Sequence, residues 1–178
     1  MNIVITGVKS SGKSTVGSLV ADGLHLPFVD LDDVVLAIHR DAGGNAGSCA
    51  EIYRMRGEGG FRSLELAAAQ SIGERGGIVL STGGSTLLDE AIRGHLRDAS
   101  LWIYLDAPAG FLWSRIRKGP LPAYLDTVDD PESAFRERYQ LVRETLVPLA
   151  EMVIDVAQGT PTQVADTILS RLREISQI

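Results

Sequence analysis

The run Gly7-Val8-Lys9-Ser10-Ser11-Gly12-Lys13-Ser14-Thr15 fits the spacing G-x-x-x-x-G-K-[ST]. Residues of these types at this spacing suit one task, the cradling of phosphate. Gly7 and Gly12 allow backbone angles closed to other residues, so successive N–H groups, those of Ser10 and Ser11 included, converge on anionic oxygens. Lys13 places a point charge against the outer phosphates, and the Ser14 hydroxyl, beside Thr15, offers a ligand to Mg²⁺. A helix opening at Lys13 adds its dipole and unpaired donors to the same anion site. The expectation is nucleoside triphosphate binding. The plainer alternative is a glycine-rich turn with a solvated lysine.

Three further clusters carry possible chemistry. Asp30-Leu31-Asp32-Asp33 ends an apolar segment, and alternation along an extended chain puts Asp30 and Asp32 on one side. Such a pair suits holding Mg²⁺ through water, binding substrate hydroxyls or taking a proton. Asp32 or Asp33 also suits a plain helix cap. In Gly57-Glu58-Gly59-Gly60-Phe61-Arg62-Ser63-Leu64-Glu65, Arg62 is fit to clamp a carboxylate or phosphate, with Glu65 one helical turn on to orient it. A surface ion pair is the plainer reading there. Ser81-Thr82-Gly83-Gly84-Ser85 pairs glycines that let backbone N–H groups approach a ligand, or simply makes a tight turn.

The elements that must position these clusters alternate along the chain. Short β-branched runs at Asn2–Thr6, Pro27–Asp30, Gly77–Ser81, Ser100–Leu105 and Met152–Val156 read as strands. Longer amphipathic stretches separate them, notably Lys13–Leu24, Leu31–Arg40 and the closing Pro161–Ile175, with a short helix at Cys49–Met55. Strands joined by crossover helices imply βαβ units. The predicted fold is therefore α/β, a three-layer sandwich around a five-stranded, mostly parallel sheet. Two segments interrupt it, a glycine-rich connection at Asp41–Ser48 and a proline-rich one at Lys118–Pro131. Loops over a rigid sheet are where lids and binding segments usually sit.

Composition sets the outer bounds. A chain of 178 residues makes about one domain. With 17 basic against 23 acidic residues the net charge is −6, which argues against nucleic-acid or membrane-surface partners. One cysteine, Cys49, excludes an internal disulfide, and His25, His39 and His95 lie too far apart to suggest a metal site. No apolar run nears the roughly 18 residues a membrane span needs, and the N-terminus lacks a basic leader. The expectation is a soluble, cytoplasmic protein that acts as a monomer.

Taken in order, GVKSSGKST, FVDLD, GEGGFRSLE and STGG resemble the shikimate kinase family over roughly residues 2–156. The resemblance implies a phosphate-loop kinase of the nucleoside-monophosphate-kinase-like fold, a single domain over 1–178. A mobile lid would lie at about 117–131 and a substrate region at about 30–65. It implies ATP-dependent phosphorylation of a shikimate hydroxyl, with Mg²⁺ bound by Ser14 and Asp30. By match, Asp32 binds ring hydroxyls, Arg62 grips the acceptor carboxylate, Gly83 and Gly84 line the pocket, and Arg115 brackets adenine.

The chain also departs from the family pattern. Ser85 replaces the third glycine of a triplet. The lid stretch reads Arg117-Lys118-Gly119-Pro120-Leu121-Pro122, so the family's lid arginine is displaced and Arg117 or Lys118 must supply its charge. Gapless matching puts Val142 where a late-helix arginine belongs, and the adjacent Arg143 is the candidate for that contact. Acceptor identity therefore stays open to a gluconate-like or nucleotide kinase, or to a nucleotide-binding regulator with a vestigial site.

Overall fold

The computed structural model describes residues 1–98 and 100–175. Five strands, β1 (Asn2–Thr6), β2 (Phe28–Asp30), β3 (Val79–Ser81), β4 (Ser100–Asp106) and β5 (Met152–Asp155), form one sheet in the order β2-β3-β1-β4-β5. Every pairing is parallel. The expected mostly parallel sheet is thus wholly parallel. β1 and β3 are buried throughout and β4 everywhere but its two end residues, as apolar runs covered on both faces must be. The edge strand β5 alternates instead and leaves Val153 exposed.

Six α-helices connect the strands and a seventh follows the last of them among the described residues: α1 (Lys13–Leu24), α2 (Leu31–Asp41), α3 (Cys49–Gly73), α4 (Glu90–Arg97), α5 (Ala109–Ile116), α6 (Pro131–Leu146) and α7 (Pro161–Ile175). From β1 the chain crosses outward to β2, whereas from β3 and β4 it crosses in the opposite direction. Because such crossovers are right-handed, α1 falls on one face and the helices between β2 and β5 on the other. The contacts agree: α1 packs with α7, α3 with α2 and α4, and α5 with α6. Trp102 and Tyr104 of β4 and Phe135 of α6 are the bulkiest fully buried side chains, and Trp113 of α5 stacks on Phe135 with ring centres 5.5 Å apart. No helix among the described residues is long and apolar enough to cross a membrane.

Two expectations change in structure. The short helix expected at Cys49–Met55 is the opening of a helix that reaches Gly73, broken at Gly57 (φ 68°, ψ −179°). Helix resumes directly through Gly59 and Gly60 because Leu64, Ala68, Ala69 and Ile72 beyond them are buried, and burial outweighs the poor helix propensity of glycine. Asp41–Ser48, expected as a glycine-rich connection, is tied to the helices on both sides of it. Ser48 caps α3 by accepting the Glu51 N–H at 3.2 Å, the Glu51 carboxylate accepts the Gly47 N–H at 2.7 Å, and buried His39 accepts the Ala46 N–H at 3.4 Å.

The break at Gly57 lies in a region of backbone space that side chains with a Cβ essentially never adopt. Gly57→Ala is expected to lower stability by about 1–3 kcal/mol, read from urea unfolding. An unchanged midpoint would show that the two halves of α3 rejoin without strain.

Candidate active site

The loop between β1 and α1 is wound by three unusual conformations: Gly7 at φ 144°, Ser10 at φ 69° and Gly12 at φ 90°. Gly12 caps α1 without a side chain, so the first turn's N–H groups face the concavity that the loop encloses. Into it points Lys13, buried, its Nζ donating to the Val8 carbonyl at 3.1 Å. Burial lowers the Lys13 pKa to about 8, the nearby Lys9 charge adds to that, and Asp32 and Asp30 oppose it. The Ser14 hydroxyl donates to Asp30 Oδ2 at 2.5 Å. This pair of hard oxygen donors beside the phosphate loop is a donor set suited to a small divalent cation.

Asp30 has a second task. It caps α2, its Oδ1 accepting the Asp32 N–H at 3.1 Å. β2 therefore ends at Asp30 and helix begins at Leu31, so a helical turn places Asp32, and the strand alternation expected for the pair does not operate. The cap is Asp30, where sequence pointed to Asp32 or Asp33. Asp32 lines a cleft together with Lys9, Arg62, Gly83, Gly84 and Arg138. Burial raises its pKa first, and Asp30 raises it further, while Lys9 and Lys13 pull it down.

In the turn after β3, position 84 tolerates no side chain. A Cβ there would meet the Lys9 backbone nitrogen at 2.9 Å, so the phosphate loop and the turn after β3 touch backbone to backbone. Ser85, in the place of a third glycine, lines the cleft and lends its carbonyl to Arg62. Cys49 also lines it. Its thiol, pushed up to about 12 chiefly by burial, donates to the Asp32 carbonyl at 3.4 Å.

Arg62 is held on several sides. Its Nη1 reaches the carbonyls of Ser85 and Thr86, both at 3.3 Å, and lies 3.1 Å from Glu65. Glu65 is buried and accepts the Thr86 hydroxyl, and its own pKa is raised mainly by burial. The expected Glu65 partnership is therefore an interior bracket for Arg62, not a surface pair. It leaves the remainder of the guanidinium, half-buried, facing the cleft.

The other arginines sort differently from expectation. Arg143 pairs with Asp106 at the end of β4, with N–O distances of 3.0–3.2 Å, and is not among the residues lining the cleft. The α6 arginine that lines it is Arg138, which sequence reasoning missed. It lies 3.8 Å from Glu58 and covers the Tyr124 ring at 4.8 Å. A shift of one helical turn from Val142, along the same face, would have found it. Arg115 donates to the Ser10 carbonyl at 3.3 Å and lies over Phe111, so it abuts the phosphate loop. Arg117 is exposed at the end of α5, apart from the cleft, as is Lys118. Between α5 and α6 the chain instead presents Pro122, Ala123 and Tyr124 to the cleft, and Asp126 pins this segment to α3 through Arg54 at 2.6 Å.

A parallel α/β sheet with a phosphate loop at the carboxyl end of its central strand, and a polar cleft beside that loop, defines a phosphate-loop phosphotransferase. The comparisons narrow the class. The family model described as shikimate kinase matches residues 9–173, and the chain belongs to that family. A shikimate kinase from Shewanella denitrificans is 32% identical over 173 residues, 97% of this chain and 95% of its own. The solved structure of shikimate kinase from Acinetobacter baumannii in complex with shikimate superposes with a TM-score of 0.79 at 28% identity, covering 97% of this chain and 93% of that one. A gluconokinase from Sinorhizobium meliloti, 20% identical with a TM-score of 0.58 over 99% of this chain and 95% of its own, shares the fold. The protein is accordingly an ATP-dependent phosphotransferase acting on a hydroxyl group.

Lys13 yields a pH test. In the free protein its ammonium loses its proton as pH rises through about 8, and bound phosphates favour the charged form. Nucleotide binding should therefore take up protons near pH 8–9, and affinity should fall as pH climbs above that range. Calorimetry in buffers of different ionisation enthalpy measures the uptake. Proton release, or none, would contradict the burial of Lys13.

Proposed function

We propose that the protein transfers the γ-phosphoryl group of ATP to a hydroxyl of shikimate. The observation that carries this reading is the meeting of Asp32, Arg62 and Arg138 in one cleft beside the loop that buries Lys13. Two arginines suit the acceptor's carboxylate, Arg62 through the planar fork that binds carboxylates in bidentate fashion. Asp32 suits its hydroxyls.

In this reading Lys13, the loop amides and Ser11 to Thr15 hold the triphosphate, and Arg115 flanks the nucleotide from the outer side of the loop. Ser14 and Asp30 hold Mg²⁺, which when bound supplies neutralising charge to the β- and γ-phosphates. The acceptor oxygen forms its bond to the γ-phosphorus in line with the breaking bond to the β–γ bridging oxygen. That oxygen keeps the electron pair and leaves with ADP. Asp32 takes the hydroxyl proton, a role helped by its raised pKa. Gly83 and Gly84 let the turn after β3 close on the acceptor. Residues 117–131 act as a lid, with Pro122 to Tyr124 as the surface that excludes water. Each of these groups comes from one chain, so the reading needs no second copy.

The test is ADP release from Mg-ATP with and without shikimate, with quinate and gluconate alongside. Shikimate-dependent release is expected, and release with gluconate alone would overturn the acceptor. Lys13→Ala should abolish turnover. Arg138→Ala should raise the KM for shikimate about 10–100-fold with a smaller change in kcat, the scale of one charged hydrogen bond. Arg62→Lys, which keeps a cation beside buried Glu65 but loses the fork, should act in the same direction. Unchanged KM values in both would remove the carboxylate clamp. Activity should also fall as pH drops through the raised pKa of Asp32.

A further inference from the structure

Lys9 stands at the third position of the phosphate loop and is spoken for by none of the roles above. It lines the cleft with Asp32, Arg62 and Gly84, while its backbone nitrogen lies against Gly84. Lys13 reaches back to the carbonyl of Val8, the residue next to it, so position 9 borders the ammonium that faces the outer phosphates. On its other side is Asp32, whose carboxylate feels the Lys9 charge, as Lys13 does. Lys9 is therefore located between the two halves of the site.

Its charge is also uncommitted. No carboxylate lies within 4.0 Å of Lys9 among the described residues. Arg62 is shared with Glu65 and Arg138 with Glu58. The segment between α5 and α6, where a lid cation was expected, brings only Pro122, Ala123 and Tyr124 to the cleft, with Arg117 and Lys118 exposed away from it. Phosphoryl transfer is accelerated mainly by fixed positive charge around the oxygens of the group in flight. Resting on the kinase reading above, we propose that Lys9 is a catalytic residue whose ammonium contacts the γ-phosphoryl oxygens during transfer, the task that a lid arginine would otherwise perform. It changes no bond. It offsets charge as the acceptor oxygen joins the phosphorus, the β–γ bridging oxygen departs with ADP, and the proton passes to Asp32.

The test compares wild type with Lys9→Met and Lys9→Arg. By calorimetry, Lys9→Met should bind the β,γ-imido analogue of ATP about 10-fold more weakly while ADP stays within about twofold, because only the analogue presents a γ-phosphate to the lost charge. In the coupled assay its kcat should fall about 100-fold with the shikimate KM within about threefold, and Lys9→Arg should restore most of the rate. Equal weakening of both nucleotides, or of neither, overturns the proposal, and so does an effect confined to the shikimate KM, which would put Lys9 on the acceptor carboxylate. The nucleotide comparison needs no acceptor. A wild type silent with shikimate would end the acceptor reading and still leave that comparison to decide on Lys9.

Discussion

The arrangement depends on one buried ammonium. Lys13 is folded into the protein with the Val8 carbonyl as its protein acceptor, and a desolvated cation is unfavourable until something anionic meets it. The loop tolerates this because its backbone turns through Gly7, Ser10 and Gly12 in conformations that aim donors inward. Those conformations in turn need rigid support on both sides. β1, buried along its length between β3 and β4, supplies one support and the first turn of α1 the other. A parallel sheet at this point is thus the platform for a local electrostatic strain that phosphate relieves.

From the same loop the acceptor side follows by contact. Gly84 against the Lys9 backbone fixes the distance between the β1 and β3 turns, and Thr86 just beyond it holds Glu65, which holds Arg62. Breaking a buried pair of this kind leaves an uncompensated charge, which is strongly destabilising. Arg62 is thereby referenced to the phosphate loop through three links and no mobile ones. Arg138 is positioned otherwise. It comes from α6, stacks on Tyr124 of the segment before that helix and lies near Glu58 of α3. The two cleft arginines are therefore held differently, one by the buried Glu65 and one by an aromatic ring of the segment before α6.

How much of this could be read from residues alone depended on whether a role is local. The phosphate loop is a local object, set by residue type and spacing, and its strand–turn–helix context was legible. The sheet was legible for the same reason, since burial on both faces writes itself as short apolar runs. Asp32 was found for a wrong cause, because a cap by Asp30 converts strand to helix one residue before alternation could act. Arg138 was missed because matching without gaps landed one helical turn away, at buried Val142. Arg143 looked available only because its partner, Asp106, lies 37 residues distant in sequence. Lys9 occupies a position that the phosphate-loop pattern leaves unspecified, so nothing in the spacing marks it.

Departures from the family pattern are therefore compensated unevenly. Ser85 costs the cleft little, since what Arg62 uses there is a backbone carbonyl that any residue supplies. The lid stretch is different, because Gly119 and Pro120 leave no side chain able to carry charge, and the flanking Arg117 and Lys118 point to solvent. A shared fold does not decide such matters, as the likeness to a gluconokinase shows: the sheet and loop are common, and the acceptor is chosen by what α3, α6 and the β3 turn bring to the cleft. In this chain α3 and α6 bring two arginines already paired with carboxylates, and the phosphate loop adds Lys9, which has no such pair among the described residues. Fixed charge of that kind is what a transferring phosphoryl group responds to, whereas a cation already paired has less to offer it.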